Sequence, residues 1–347
     1  MKRITALLMT VLMVLSLCAC GQAETKKEED AGTVSFTDSL GRTVEVPAKP
    51  EKLAPSGSYA QLVLYALCPD LLAGITSDWD DNELPFIPDE MKSLPVLGQL
   101  YGGKKELNLE TLMNSGAQVV VDVGQAKKDA AAELDALQEQ TGVPFVHISA
   151  DLSTMDETYD LLGKLTGRTE KAAQLSSYCR ETYDKMAALA DRVDKVSLLY
   201  ITGDEGHNVI AKDSYHSEVI DLLGDNLAVV DEPSSKGSGN EVSMEQILLW
   251  DPEVLVFSPE SIYDSVASDP LWSGMQAVQN GRVYRTPLGP YNWMGFPPSV
   301  QRYLGMVWLG SVLYPDECGY ELKDEVGKYF ELFYGVKDVP FDDLVKQ

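Results

Sequence analysis

Two periodicities alternate along the chain. Short runs rich in β-branched residues stand at 118–122 (QVVVD), 144–148 (PFVHI), 196–201 (VSLLYI), 253–257 (EVLVF) and 282–284 (RVY). Apolar residues recur at helical spacing over 128–140, 214–223 and 298–313. A short, nearly continuous apolar run suits a strand buried on both faces, and a three-to-four spacing suits a helix with one apolar stripe. Their alternation predicts an α/β fold with largely parallel sheets.

The middle of the chain breaks that rhythm. Residues 153–166 read as a helix, with Thr154 and Glu157 at capping-box spacing. From 169 to 193, Ala172, Leu175, Cys179, Tyr183, Met186, Leu189 and Val193 recur at intervals of three or four. That stripe predicts a helix about 37 Å long, suited to a strut between two lobes. The two flanks of the strut share a pattern. NLETLMNSGAQVVVDV (108–123) and SMEQILLWDPEVLVFS (243–258) each place a capping residue (Asn108, Ser243), then Glu two positions on (Glu110, Glu245). An aliphatic residue follows two further on, and a strand begins eight beyond the Glu. The shared order and spacing predict two related lobes.

The first residues belong to neither lobe. Lys2 and Arg3 precede an uncharged apolar run, 4–17, that ends in Leu17-Cys18-Ala19-Cys20. The run is shorter than the roughly 20 residues a bilayer span needs, so residues 1–19 read as a signal peptide. The Leu-x-Ala-Cys ending is similar to a bacterial lipobox, which implies that Cys20 is lipidated and anchors the exported chain to the outer face of the cytoplasmic membrane. The alternative is an ordinary cut nearby that leaves Cys20 a free thiol. The polar stretch after it, to residue 33, reads as a flexible tether.

Charge narrows the partners. The 347-residue chain carries 54 Asp+Glu against 28 Lys+Arg, a net charge of −26. That argues against nucleic acid and against electrostatic binding to anionic lipid. Beyond the signal, Cys68, Cys179 and Cys318 are widely spaced, allow at most one disulfide and indicate no cysteine metal site.

In open α/β sheets, ligands sit beyond the carboxyl ends of the strands. By that rule Ser58 and Tyr59 are candidates, in the loop after a short strand at 52–54. Backbone N–H groups there could face an anion, or Ser58 could simply cap the next helix. Gln99 and Tyr101 lie in a glycine-flanked loop, and Lys127 follows the strand at 118–122. Tyr215 and His216 stand at a helix start. The imidazole is either a haem or metal ligand or the centre of a local hydrogen bond. The loop GPYNWMGFPPS (289–299) gathers four large apolar residues among turn formers. Tyr291 and Trp293 are expected to face a ligand, Met294 and Phe296 the core, and Pro298 to open the next helix.

These pieces occur in a telling order. The lipobox is followed by DSLGRTVEVPAKPEKLAPSGSYAQLVLYAL (38–67), the two helix–strand repeats around the strut, WSGMQAVQNGRVYRTP (272–287) and PPSVQRYLGMVWLGSVLYPD (297–316). The set resembles the substrate-binding lipoproteins of ABC importers, in the class for iron–siderophore, haem and cobalamin uptake. The resemblance implies a class III periplasmic binding protein: two three-layer α/β/α lobes with largely parallel sheets, joined by one long helix. It places an N-terminal lobe at 34–168, the connecting helix at 169–193 and a C-terminal lobe with terminal helices at 194–347. It further implies a monomer that holds a small-molecule ligand in the cleft and delivers it to an ABC permease dimer with its ATPase. Glu110 and Glu245 match the glutamates that dock onto permease arginines in that family. An iron complex, a ferric siderophore or haem, is the expected ligand, with cobalamin, a small oxyanion or bare zinc or manganese as alternatives. No cofactor and no catalytic residue are expected. A secreted hydrolase is the rival from another class; it lacks a G-x-S-x-G elbow, and His147, His207 and His216 lack metalloprotease spacing.

Overall fold

The computed structural model describes residues 32–102, 105–295 and 297–346. The segment expected to be a signal peptide, the expected lipidation site Cys20 and Phe296 lie outside the described residues. An antiparallel hairpin, β1 (Thr33–Thr37) and β2 (Thr43–Pro47), opens the described chain. Strands β3 (Leu53–Pro55), β4 (Val119–Gly124) and β5 (Phe145–Ser149) then form a parallel sheet. Its helices are α1 (Ser58–Leu67), α2 (Leu109–Ser115), α3 (Ala130–Thr141) and α4 (Met155–Thr166). A single unbroken helix, α5 (Thr169–Arg192), leads to the second half, as the long apolar stripe requires.

The second sheet runs β11–β10–β6–β7–β9, with β8 beside β6. Its strands are β6 (Ser197–Thr202), β7 (Asn208–Val209), β8 (Asp225–Asn226), β9 (Asn240–Glu241), β10 (Val254–Phe257) and β11 (Val283–Arg285). The pairs β6–β10, β10–β11 and β6–β8 are parallel. The labelled helices here are α6 (Glu218–Leu223), α7 (Met244–Trp250), α8 (Arg302–Leu313) and α9 (Leu322–Tyr334).

The repeat read from the sequence extends to individual hydrogen bonds. Asn108 caps α2 by accepting from Thr111 N–H at 2.8 Å, and Ser243 caps α7 by accepting from Gln246 N–H at 3.2 Å. Gln118, just before β4, accepts the N–H of Lys52 at the head of the neighbouring strand at 3.3 Å. Glu253, just before β10, accepts the N–H of Ser197 in the same way at 3.0 Å. The register agrees, with Leu53 opposite Val119 and Leu198 opposite Val254.

Three expected starts move. The helix expected over 214–223 begins at Glu218, because turns occupy the preceding residues. Pro298 does not open a helix: Ser299 accepts from Gln301 N–H at 3.2 Å and from Arg302 N–H at 3.1 Å, a local turn that delays α8 to Arg302. The Thr154–Glu157 capping box is replaced by Asp151, whose Oδ1 accepts the N–H groups of Ser153 and Thr154 at 3.1 Å each.

Side-chain alternation divides the core. Val119, Val121, Leu198, Tyr200, Val254 and Val256 face one shared central cluster. The opposite strand faces pack separately, Val120 and Phe145 against Leu134, and Leu199, Ile201, Leu255 and Phe257 against Ile247 and Trp272. The central cluster includes α9, which the sequence reading grouped with the C-terminal lobe. Its Phe330, Phe333 and Tyr334 rings meet Phe86, Tyr159 and Tyr65 of the first half. Tyr329 and Phe333 also meet Tyr178 of α5.

Candidate ligand-binding site

Strand β4 ends at Gly124, where the backbone runs between two tyrosines with φ of 134°. A Cβ here would stand 3.4 Å from Tyr59 Cδ1 and 3.8 Å from the Tyr215 hydroxyl. Tyr59 belongs to the first turn of α1, and Tyr215 lies just ahead of α6. The carboxyl edge of the first sheet therefore meets the second half at this point.

Arg302, the first residue of α8, fills the junction with a side chain only 1% exposed. Its guanidinium carbon is 5.2 Å from the Tyr215 ring centre and 5.9 Å from that of Tyr59. Nη2 donates to the Tyr59 hydroxyl at 3.4 Å, and Nη1 donates to Glu218. The other Glu218 oxygen accepts Leu152 N–H, in the first half, at 3.1 Å. One carboxylate thus links a backbone amide of the first half to an arginine of the second. Burial opposes the Arg302 charge, but Tyr59, Glu218 and Tyr215 more than offset it. Burial raises both phenols, Tyr215 to about 12, so both are neutral hydroxyls at neutral pH.

Beside the junction lies a cleft of about 520 Å³, lined by Gln125, Ser153, Tyr183, Asp213, Tyr215 and Glu218 among others. That volume suits a small molecule. Tyr183 comes from α5, so the connecting helix forms part of the wall. The lining residues include Asp213, Glu218 and Asp221 but no lysine or arginine. Asp221 is held internally: it accepts from Asp213 N–H at 2.9 Å and from Asn226 Nδ2 at 3.0 Å.

Of the residues singled out from sequence, Tyr59 and Tyr215 meet at the junction. Ser58 and Gln99 also come together. Gln99 Oε1 accepts from the Ser58 hydroxyl at 3.0 Å and from its N–H at 3.4 Å. Ser58 is therefore not the helix cap; a glutamine from another segment serves the first N–H. Tyr101 donates to Glu133 at 2.7 Å, and burial together with that carboxylate raises its pKa. Lys127 is exposed on the loop that also carries Gln125.

Three expectations are corrected. Trp293 is 0% exposed and donates its indole N–H to Gly289 O at 3.0 Å, so it packs inside rather than facing a ligand. Tyr291 is half-buried against the central core, where burial and the neighbouring Glu83 charge hold its phenol well above its usual pKa. His216 is buried, and its ring nitrogens face Gly295 O at 3.3 Å and Ser235 O at 3.2 Å, leaving none directed at the cleft. Burial lowers its pKa, although both carbonyls pull the other way. The loop is drawn inward because α8 presents Gly305, where a Cβ would lie 2.3 Å from Trp293 O. Met294 is buried with it.

Sequence reasoning missed Arg302 and Glu218 and passed over Gln125. A signal for Arg302 was available: a lone cation heading the apolar run YLGMVWLG demands a buried partner. The partner could not be named, because Glu218 lies 84 positions away. Cys68, Cys179 and Cys318 are buried free thiols, and burial with Asp70 alongside pushes Cys68 up to about 12. Glu110 and Glu245 are both exposed in the first turns of α2 and α7.

Comparison with known proteins adds relatives to this geometry. Residues 63–288 match the family model described as periplasmic binding protein. The Fe(3+)-citrate-binding protein of Bacillus subtilis is 25% identical over 212 residues, covering 59% of this chain and 64% of that protein. The iron-uptake system-binding protein of the same organism is 24% identical over 323 residues, 88% of this chain and 97% of that one. Among solved structures, an ABC transporter solute binding protein from Sulfurospirillum deleyianum superposes with a TM-score of 0.81 at 26% identity, covering 89% of this chain and 97% of its own.

Proposed function

The chain belongs to the periplasmic binding protein family, and from that premise we propose that it is the extracytoplasmic substrate-binding component of an ABC importer that carries an iron complex. The names of the two iron-related relatives support the cargo, and the cleft against α5 supports its place. The observation that carries the reading is the junction of Tyr59, Tyr215, Arg302 and Glu218. It closes the carboxyl edge of one sheet onto the other half beside a cleft of ligand size.

The wall chemistry favours one kind of iron complex. The cleft-lining residues offer carboxylates and hydroxyls, and the nearby arginine is engaged by Glu218. A neutral or cationic ferric chelate, of the trihydroxamate type, meets no charge penalty there, whereas a small oxyanion finds no free cation among those residues. Tyr215, Tyr59, Ser58 and Gln99 contact the cargo, and Lys127 borders it. The lobes run over 34–168 and 194–347, and the protein acts as a monomer tethered through lipidated Cys20. Glu110 and Glu245 dock onto permease arginines.

Tryptophan-fluorescence titration with a ferric trihydroxamate, ferric citrate, haem, cobalamin and molybdate tests the cargo. Saturable binding of the trihydroxamate, weakened in Tyr215→Ala, is the expected result. Saturation by molybdate alone overturns the iron reading.

A further inference from the structure

The two helices that carry Glu110 and Glu245 also carry apolar side chains that nothing in the fold requires outside. Three of the seven exposed large hydrophobic residues among those described lie on these two short helices: Met113 at 47%, Leu248 at 40% and Leu249 at 72%. The core-facing positions are already filled by Leu112 and Ile247, both 0% exposed. Met113 stands three residues after Glu110, and Leu248 three after Glu245, so each apolar group neighbours its glutamate on the helix surface. Neither helix contains a lysine or arginine.

Resting on the permease-docking reading above, we propose that Met113 on one lobe, and Leu248 with Leu249 on the other, form the apolar half of a duplicated docking surface for the two-fold-symmetric permease. The occupant follows from two features. The glutamate–apolar pair recurs at equivalent positions of two repeated units with matching caps and strand register, so its complement is a surface presented twice. Each pair is acidic, on a chain of net charge −26, so the complement is basic with an apolar socket beside the basic group. A second copy of this chain would set like charges face to face. The glutamates govern encounter and salt dependence, while the apolar groups slow dissociation and act independently of salt. The surface is unequal, because Leu249 is matched by the polar Asn114; the C-terminal patch holds more tightly.

The test is binding of the full lipoprotein to its permease–ATPase complex in nanodiscs, at low and high salt. The variants are Met113→Ser with Leu248→Ser and Leu249→Ser, and Glu110→Lys with Glu245→Lys. The triple serine variant should keep its thermal midpoint and dock about tenfold or more weakly at both salt concentrations. Met113→Ser alone should weaken docking less than the leucine pair. The lysine variant should lose docking chiefly at low salt. If the serine variant docks like the parent while the lysine variant fails, the apolar proposal is overturned and the glutamate reading stands. If the lysine variant docks normally, the docking reading itself falls. If the serine changes reduce self-association in sedimentation but leave docking intact, a second copy covers the patch and the proposal is wrong.

Discussion

Arg302 shows how much one side chain can decide. A buried arginine is tolerated only with a carboxylate and further acceptors around it, and here Glu218, Tyr59 and the Tyr215 carbonyl at 3.4 Å supply them. Arg302→Met removes the cation but leaves Glu218 partly buried against Leu152. The expected cost is about 3 kcal/mol, from breaking one side of a buried pair. Urea unfolding of the ligand-free protein measures it; an unchanged midpoint would mean that the pair contributes nothing to the fold. The sequence held a signal for Arg302, a lone cation heading an apolar run, that went unread, and it marked Tyr59 and Tyr215 through their loops. It could not show that these three residues converge, because each comes from a different element.

Elements were more legible than side chains, because their signals are local. The α5 stripe and the β4 and β10 runs give periodicities that few other structures satisfy. The helix start at Pro298 misled because proline suits a first turn in isolation, and the Ser299 turn prevailed. The aromatic loop misled for another reason: α8 has a glycine where the loop must approach its backbone. Gly305→Ala places a methyl 2.3 Å from a carbonyl oxygen that cannot easily retreat. Overpacking of that kind costs about 1–3 kcal/mol, against a gain of at most about 1 kcal/mol in helix propensity. A net loss is expected in denaturant unfolding. Gly327→Ala on α9, where a Cβ meets nothing within 4 Å, should instead stabilise. Equal effects at the two sites would remove the packing explanation for the buried loop.

At the scale of the molecule, the halves are joined by more than a strut. The continuous α5 fixes one edge, and α9 returns to lay its aromatic side chains against the first half. Tyr303 of α8 also donates to Leu152 O at 2.8 Å. Hinge motion would have to disturb this shared cluster. Ligand binding should therefore change the shape by only a few degrees of lobe rotation. Small-angle scattering curves recorded with and without saturating proposed cargo, a ferric chelate, should nearly coincide. A large change in radius of gyration on binding would contradict a rigid connection.

The sequence by itself determined the α/β class, the repeat, the long helix and the acidic balance. Each depends on spacing or composition within a short window, where backbone period and burial are tied together. The tertiary structure alone decided which residues share the cleft, that Trp293 and His216 turn inward, and that α9 packs against both halves. Those outcomes depend on distances between segments far apart in the chain, where a buried charge finds its partner and a missing Cβ admits a neighbouring backbone.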